Sequence, residues 1–254
     1  MLQNKVGLLM IAHGTDDTHA NLGFMQALLS LDLGCPAEVA FLRHMPEFSL
    51  RHAVCRLQDQ GAARIVAIPL FFATQHVHTE EIQQELHQLV GYRVRVVPGI
   101  GAHHAAVAVI AARALAYAQA PDKEALVLIG PGGGNDEAYY WHDLLRRYAK
   151  RLRCGIPYAT IQWGTMLPDT VSPVMTLLGR SFDRVVTLVV ASEIPLSFQE
   201  QLSQLMAGPN RIVDTRPICT DSAFAWYLRR RMSEAAAAYL RSAPELSAPL
   251  RVVH

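Results

Sequence analysis

Lys5-Val-Gly-Leu-Leu-Met-Ile-Ala-His-Gly-Thr, residues 5–15, starts as an apolar run and ends in a loop. Lys123-Glu-Ala-Leu-Val-Leu-Ile, residues 123–129, repeats the lysine and the apolar pattern 118 residues later. A short, near-continuous apolar run bounded by turn signals suits a strand buried on both faces. Such strands belong to parallel sheets covered by helices. That reading, met twice, decides the fold class.

The same pattern spreads outward from both runs. Strands are expected at Val6–Ala12, Ala37–Leu42, Arg64–Phe71 and Arg93–Pro98. Helical spacing fills Leu22–Leu31, Phe48–Gln60 and Glu80–Val90, and the alanine-rich Ala105–Ala118 follows the fourth strand. In the second half, Ala125–Gly130, Tyr158–Gln162, Arg184–Ala191 and Arg211–Arg216 read as strands. Val39–Val66 can be laid on Ala159–Val186 at an offset of 120 without a gap, and Pro98 on Pro217 at 119. The expectation is α/β: two similar domains, each a small parallel sheet of about four strands flanked by helices. They should occupy residues 1–120 and 121–241, with a loose tail over 242–254.

Composition excludes several functions. Of 254 residues, 51% are hydrophobic and 18% charged, enough apolar content for a core. Lys+Arg is 23 against 22 for Asp+Glu, and the halves hold 8 and 15 basic against 9 and 13 acidic residues. Neither half is a basic nucleic-acid footprint. No apolar run reaches the roughly 18–20 residues of a membrane span. The N-terminal residues lack the charged and apolar regions of a signal peptide, and Cys35, Cys55, Cys154 and Cys219 form no Cys-x-x-Cys pair. A cytoplasmic protein with reduced thiols is expected.

The histidines are lopsided: nine of 11 lie in the first half. Parallel sheets bind ligands at the carboxyl ends of their strands. His13, His44, the pair His76 and His78, and the pair His103 and His104 follow the four strands of the first half in turn. The aligned positions in the second half are Pro131, Gly164, Leu196 and about Ser222. Packing alone does not predict this asymmetry, so at least two of these histidines are expected to share a metal or proton-transfer site. His19, His52, His87 and His142 fall in helical stretches and read as solvated or backbone-bonded side chains. His76 and His78 alternate, so in extended chain they point to opposite sides and only one is expected in the site.

Three stretches resemble the class II tetrapyrrole chelatases, in particular the sirohydrochlorin cobaltochelatases and ferrochelatases, including two-domain forms. They are Leu8-Leu-Met-Ile-Ala-His-Gly-Thr with Asn21, Glu38-Val-Ala-Phe-Leu with Met45-Pro-Glu-Phe-Ser-Leu, and Ile65-Val-Ala-Ile-Pro-Leu-Phe-Phe-Ala-Thr-Gln-His-Val. The resemblance is specific over residues 5–105 and only architectural over 120–241. It implies insertion of Co²⁺ or Fe²⁺ into sirohydrochlorin, in cobalamin or sirohaem synthesis, without ATP or any nucleotide. His13 and His76 take the catalytic and metal-binding positions. A neutral imidazole suits either task, as a borderline nitrogen ligand or as a proton acceptor.

One departure stands out. Many relatives carry a glutamate just after the Val-Ala-Phe-Leu strand; here Arg43 stands there, followed by His44. Arginine neither binds a cation nor accepts a proton, but it pairs with carboxylates. His44 or Glu80 is then the candidate replacement ligand, and Arg43 joins Gly14, Thr15 and Phe72 as candidates for holding the macrocycle.

In the second half, Gly130-Pro-Gly-Gly-Gly-Asn occupies the place of the His13 loop. Gly132 and Gly133 are candidates to cradle a propionate with backbone N–H groups, although a tight turn that lost its catalytic residue accounts for them too. Tyr139-Tyr-Trp could stack on a flat ring, but aromatics in a helix are more often core, and Trp163 at the end of a strand is the slightly better cleft candidate. Three functions remain in view: the chelatase, a non-catalytic metal or tetrapyrrole carrier, and a chelatase for another metal such as Ni²⁺. Tetrapyrrole is the expected partner, with no nucleic acid and no membrane, and the chain is a monomer or homodimer.

Overall fold

The computed structural model describes residues 5–43, 45–72, 76–101, 103–191, 196–205 and 211–242. The first half runs β1 (Lys5–Ala12), α1 (Thr18–Leu29), β2 (Ala37–Phe41), α2 (Leu50–Asp59), β3 (Ala62–Pro69), α3 (His76–Val90), β4 (Val94–Val96) and α4 (His104–Tyr117). The second runs β5 (Ala125–Gly132), α5 (Asn135–Leu152), β6 (Thr160–Leu167), α6 (Val171–Ser181), β7 (Val185–Val189), α7 (Leu196–Leu205), β8 (Arg211–Asp214) and α8 (Ser222–Ser242). Every strand pairing is parallel, in the orders β2-β1-β3-β4 and β6-β5-β7-β8. The fold class expected from the apolar runs is the one observed.

The periodicities explain the layers. Leu9 and Ile11 point from β1 to one face of the first sheet, where they meet Leu50, Ala53, Val54 and Leu57 of α2 and Ile82 and Leu86 of α3. The α2 set recurs at three- and four-residue steps, the stripe of a helix lying on a sheet. In the second sheet Val127 and Ile129 play the part of Leu9 and Ile11 against Val171, Met175 and Leu178 of α6.

The duplication holds in the pairing register. Leu8 pairs with Val66, and Leu126 with Val186, so the offsets of 118 and 120 are those of the central strands. Beyond them the gapless superposition fails. Leu8 pairs with Ala37 but Leu126 pairs with Ile161, an offset of 124. The strand expected at Tyr158–Gln162 therefore begins at Thr160 and runs on to Leu167. Gly164 sits inside it, packed against Val171, rather than in a loop.

Compact units also divide differently from 1–120 and 121–241. One unit comprises Met1–Ile100 with Ser222–His254, the other Gly101–Asp221. The helix after the fourth strand of each half is thus counted with the other half. Within the second unit, α4 is tied by Tyr158 Oη donating to Ala114 O (2.7 Å), Arg184 donating to Tyr117 O (2.6 Å) and Arg113 pairing with Asp221 (2.9 Å). Within the first, α8 packs near β3 and Arg231 donates to Pro98 O (3.3 Å). The segment expected as a tail lies, beyond Ser242, outside the described residues.

Candidate functional site

β1 delivers His13 to the carboxyl edge of the first sheet, one residue beyond the strand. Gly14 then turns the chain at φ 83°, and a Cβ there would collide with the Arg43 carbonyl oxygen. Only glycine fits this crossing of the β1 and β2 exits. The Arg43 N–H donates to His13 O (3.0 Å), so the residue in the family's glutamate position is hydrogen-bonded through its backbone to the catalytic candidate itself. The Arg43 side chain is exposed.

Asn21 locks the other end of the loop. It is 1% exposed, takes hydrogen bonds on Oδ1 from Thr15 N (2.9 Å) and Thr15 Oγ1 (3.0 Å), and donates through Nδ2 to Thr15 O (2.7 Å). Asp17 caps α1 by accepting from His19 N (2.9 Å) and Ala20 N (3.1 Å). Thr15 is therefore spent on the loop's own frame. In the sequence Asn21 is legible only as part of the Leu8–Thr15 motif, six residues beyond its threonine; its burial depends on the folded loop.

The His13 imidazole is half-buried, with Nδ1 3.3 Å from Gly14 O. A proton on Nδ1, assigned from this contact, leaves the lone pair on Nε2, the nitrogen suited to a metal or a pyrrole proton. β3 neighbours β1, with Ile11 opposite Pro69, so β3 ends at the same edge as β1, beside the His13 loop. His76 opens α3. The pair His76 and His78 is thus helical rather than extended, and Glu80, which is exposed, stands one turn beyond His76. The side chains of His76 and His78, and all of His44, lie outside the described residues. Among the described residues no three His, Cys, Asp or Glu side chains converge on one point. Phe72 is 2% exposed, so it is packed inside and offers no ring face, contrary to the expectation for it.

The fourth strand's histidines also part from the expected set. His103 and His104 fall in the second compact unit, and His103 Nδ1 accepts from Ala105 N (3.2 Å) as the cap of α4. That cap satisfies one of the helix's open N–H groups, a structural task. His52 and His142 are exposed side chains, as helical placement suggested.

In the second unit, Pro131 stands where His13 does and Gly132 where Gly14 does. Gly132 has φ 76°, and a Cβ there would collide with the Leu167 carbonyl oxygen, the counterpart of the Arg43 carbonyl. The glycine is therefore kept by the strand crossing that both halves share. A Cβ on Gly133 would meet the Glu137 carboxylate, and Asp136 and Glu137 form the acidic first turn of α5. The helix terminus thus carries negative charge of its own, which weighs against the propionate cradle expected at Gly132 and Gly133. Trp163 lies within β6, half-buried, donating from Nε1 to His142 Nε2 (3.3 Å) with Arg153 stacked 5.8 Å from its ring. Trp141 is core, while Tyr139 and Tyr140 are exposed.

Residues 7–117 match the CbiX family model. No curated protein sequence matches. The sirohydrochlorin chelatase SirB from Bacillus subtilis subspecies spizizenii, solved with cobalt, is similar over 94% of this chain and 98% of its own, with TM-score 0.69 at 18% identity. SirB from Bacillus subtilis with Fe³⁺ gives TM-score 0.70 at 17% identity over the same shares. CbiX, described as the terminal enzyme for siroheme biosynthesis in denitrifying bacteria, gives 0.59 at 15% identity over 90% and 99%. Residues 7–117 thus match the CbiX family model, and the chain that carries them has the fold of these sirohydrochlorin chelatase structures.

Proposed function

We propose that this chain inserts a divalent metal, Co²⁺ or Fe²⁺, into sirohydrochlorin without ATP, in cobalamin or sirohaem synthesis. The observation that carries this reading is the His13 loop. It lies in the segment matched by the CbiX model, at the carboxyl edge of the central strand, in a frame built by Gly14, Asn21 and the Arg43 backbone. Metalation strips water from the metal and removes two pyrrole protons. The His13 imidazole is the nitrogen donor that either holds the ion or takes a proton. His76, at the start of α3 on the neighbouring strand's exit, is the second group, and His44 and Glu80 remain the candidates for a further ligand. Nitrogen donors suit Co²⁺, Fe²⁺ and Ni²⁺ alike, so cellular supply chooses among them.

A carrier function is the second reading, favoured by one observation: Arg43 replaces the family's glutamate and cannot serve as ligand or base. Its guanidinium, exposed beside the His13 loop, suits instead the peripheral carboxylates of the macrocycle. The deciding experiment mixes purified protein with sirohydrochlorin and each metal and follows the visible spectrum against a protein-free control. Acceleration with Co²⁺ or Fe²⁺ supports the chelatase, and metal affinity without acceleration supports the carrier. His13→Ala and His76→Ala should each slow insertion at least about tenfold, the usual scale for a positioned acid–base or ligand group. Arg43→Glu reports whether the substitution is a loss or a retuning: a faster variant means loss.

A further inference from the structure

The histidine loop leaves the carboxyl edge of the first sheet; near its amino edge two sulfur atoms meet. Cys35 precedes β2, set by a turn at Gly34 with φ 68°. Met232 comes from the middle of α8, in the same compact unit. Cys35 Sγ lies 3.0 Å from Met232 Sδ, with the thiol donating to the thioether. They line a groove of about 610 Å³ with Val6, Gly34, Pro36, Ser233, Ala236 and Ala237. None of these lining residues is charged.

We propose that Cys35 and Met232 form a site for a soft monovalent cation of the Cu⁺ class. Thiolate and thioether are both soft donors, the set that selects Cu⁺ over Mg²⁺ or Ca²⁺, and the groove supplies no carboxylate for a hard ion. The walls are small side chains, so an ion can enter and push the two sulfurs apart without displacing a bulky group. Binding exchanges the Cys35 S–H bond for a sulfur–metal bond and releases one proton to water, while Met232 contributes a thioether lone pair; no electron is transferred. Burial pushes the Cys35 thiol pKa up. The thiol therefore keeps its proton until a metal displaces it.

The test titrates the full-length protein anaerobically with Cu⁺ held by a competing chelator, and maps alkylation of each cysteine by mass spectrometry. One equivalent of Cu⁺ should slow alkylation of Cys35 at least about tenfold, and Met232→Leu, a volume-conserving change, should remove that protection. Cys35→Ser should lower the affinity, and Cys154→Ser, at an exposed thiol, should not. Should Cys35→Ser fail to fold, Met232→Leu carries the comparison alone. Equal affinity and equal protection in wild type and Met232→Leu overturn the site, leaving a packing contact. Protection of Cys154 in place of Cys35 overturns it as well.

Discussion

Replacing Asn21 by alanine tests how the His13 loop is held. The side chain is 1% exposed and makes three hydrogen bonds to Thr15, at 2.7, 2.9 and 3.0 Å. Each contributes about 1 kcal/mol net, and the Thr15 backbone N–H and carbonyl lose their partners, so the variant should lose about 2–4 kcal/mol. Urea unfolding measures that loss directly. The same change frees the turn that carries His13, so metal insertion should fall too. Asp17→Ala is the comparison. It removes the α1 cap, worth about 1 kcal/mol, but leaves all three Asn21 bonds, so insertion should persist. A loss below about 1 kcal/mol for Asn21→Ala refutes the hydrogen-bond argument. A full stability loss with unchanged insertion refutes the claim that this amide positions His13.

Other outcomes follow from the same geometry. Gly14→Ala and Gly132→Ala each place a Cβ at positive φ against a carbonyl oxygen, and each should lose at least about 2 kcal/mol in urea unfolding. Only Gly14→Ala should also depress insertion; equal activity in both would place the chemistry elsewhere. Asp214 gives a pH dependence. Burial alone would raise its pKa, but hydrogen bonds from the Arg216 guanidinium (2.7 and 2.9 Å) and N–H (3.0 Å) outweigh it and hold the carboxyl below its usual range. A depressed folded value means the stabilisation is full above the unfolded pKa of about 3.9 and fades as pH falls through the folded one. The stability gap between wild type and Asp214→Asn should therefore shrink on acidification below about pH 4. A gap independent of pH would show that the ion pair is not its source.

How far the sequence reaches is clear from particular residues. Apolar runs such as Leu8–Ala12 and Ala125–Ile129 announce strands because burial on both faces is written into consecutive side chains. The offsets of 118 and 120 carry the Leu8–Val66 pairing of the first sheet onto the Leu126–Val186 pairing of the second. His13 is legible as well, since a strand end followed by His-Gly-Thr is a local pattern. The four-residue shift of β6 is not: the stretch around Thr160 reads as strand in either register, and only its pairing with β5 selects one. Gly132 and Gly133 resemble an anion loop in sequence, yet the Leu167 carbonyl and the Glu137 carboxylate explain them.

Local periodicity, then, determined the elements and the parallel class of the sheets, because each strand and helix depends on neighbours a few residues apart, and the repeat of that pattern at offsets of 118 to 120 determined the doubled plan. Tertiary structure decided what depends on residues far apart in the chain. It assigned α4 to Gly101–Asp221 and α8 to the first unit, since packing and the Arg113–Asp221 pair act across about a hundred positions. It turned His103 into a helix cap and Phe72 into core. It also brought Cys35 beside Met232, two sulfurs separated by 197 residues that no spacing rule connects.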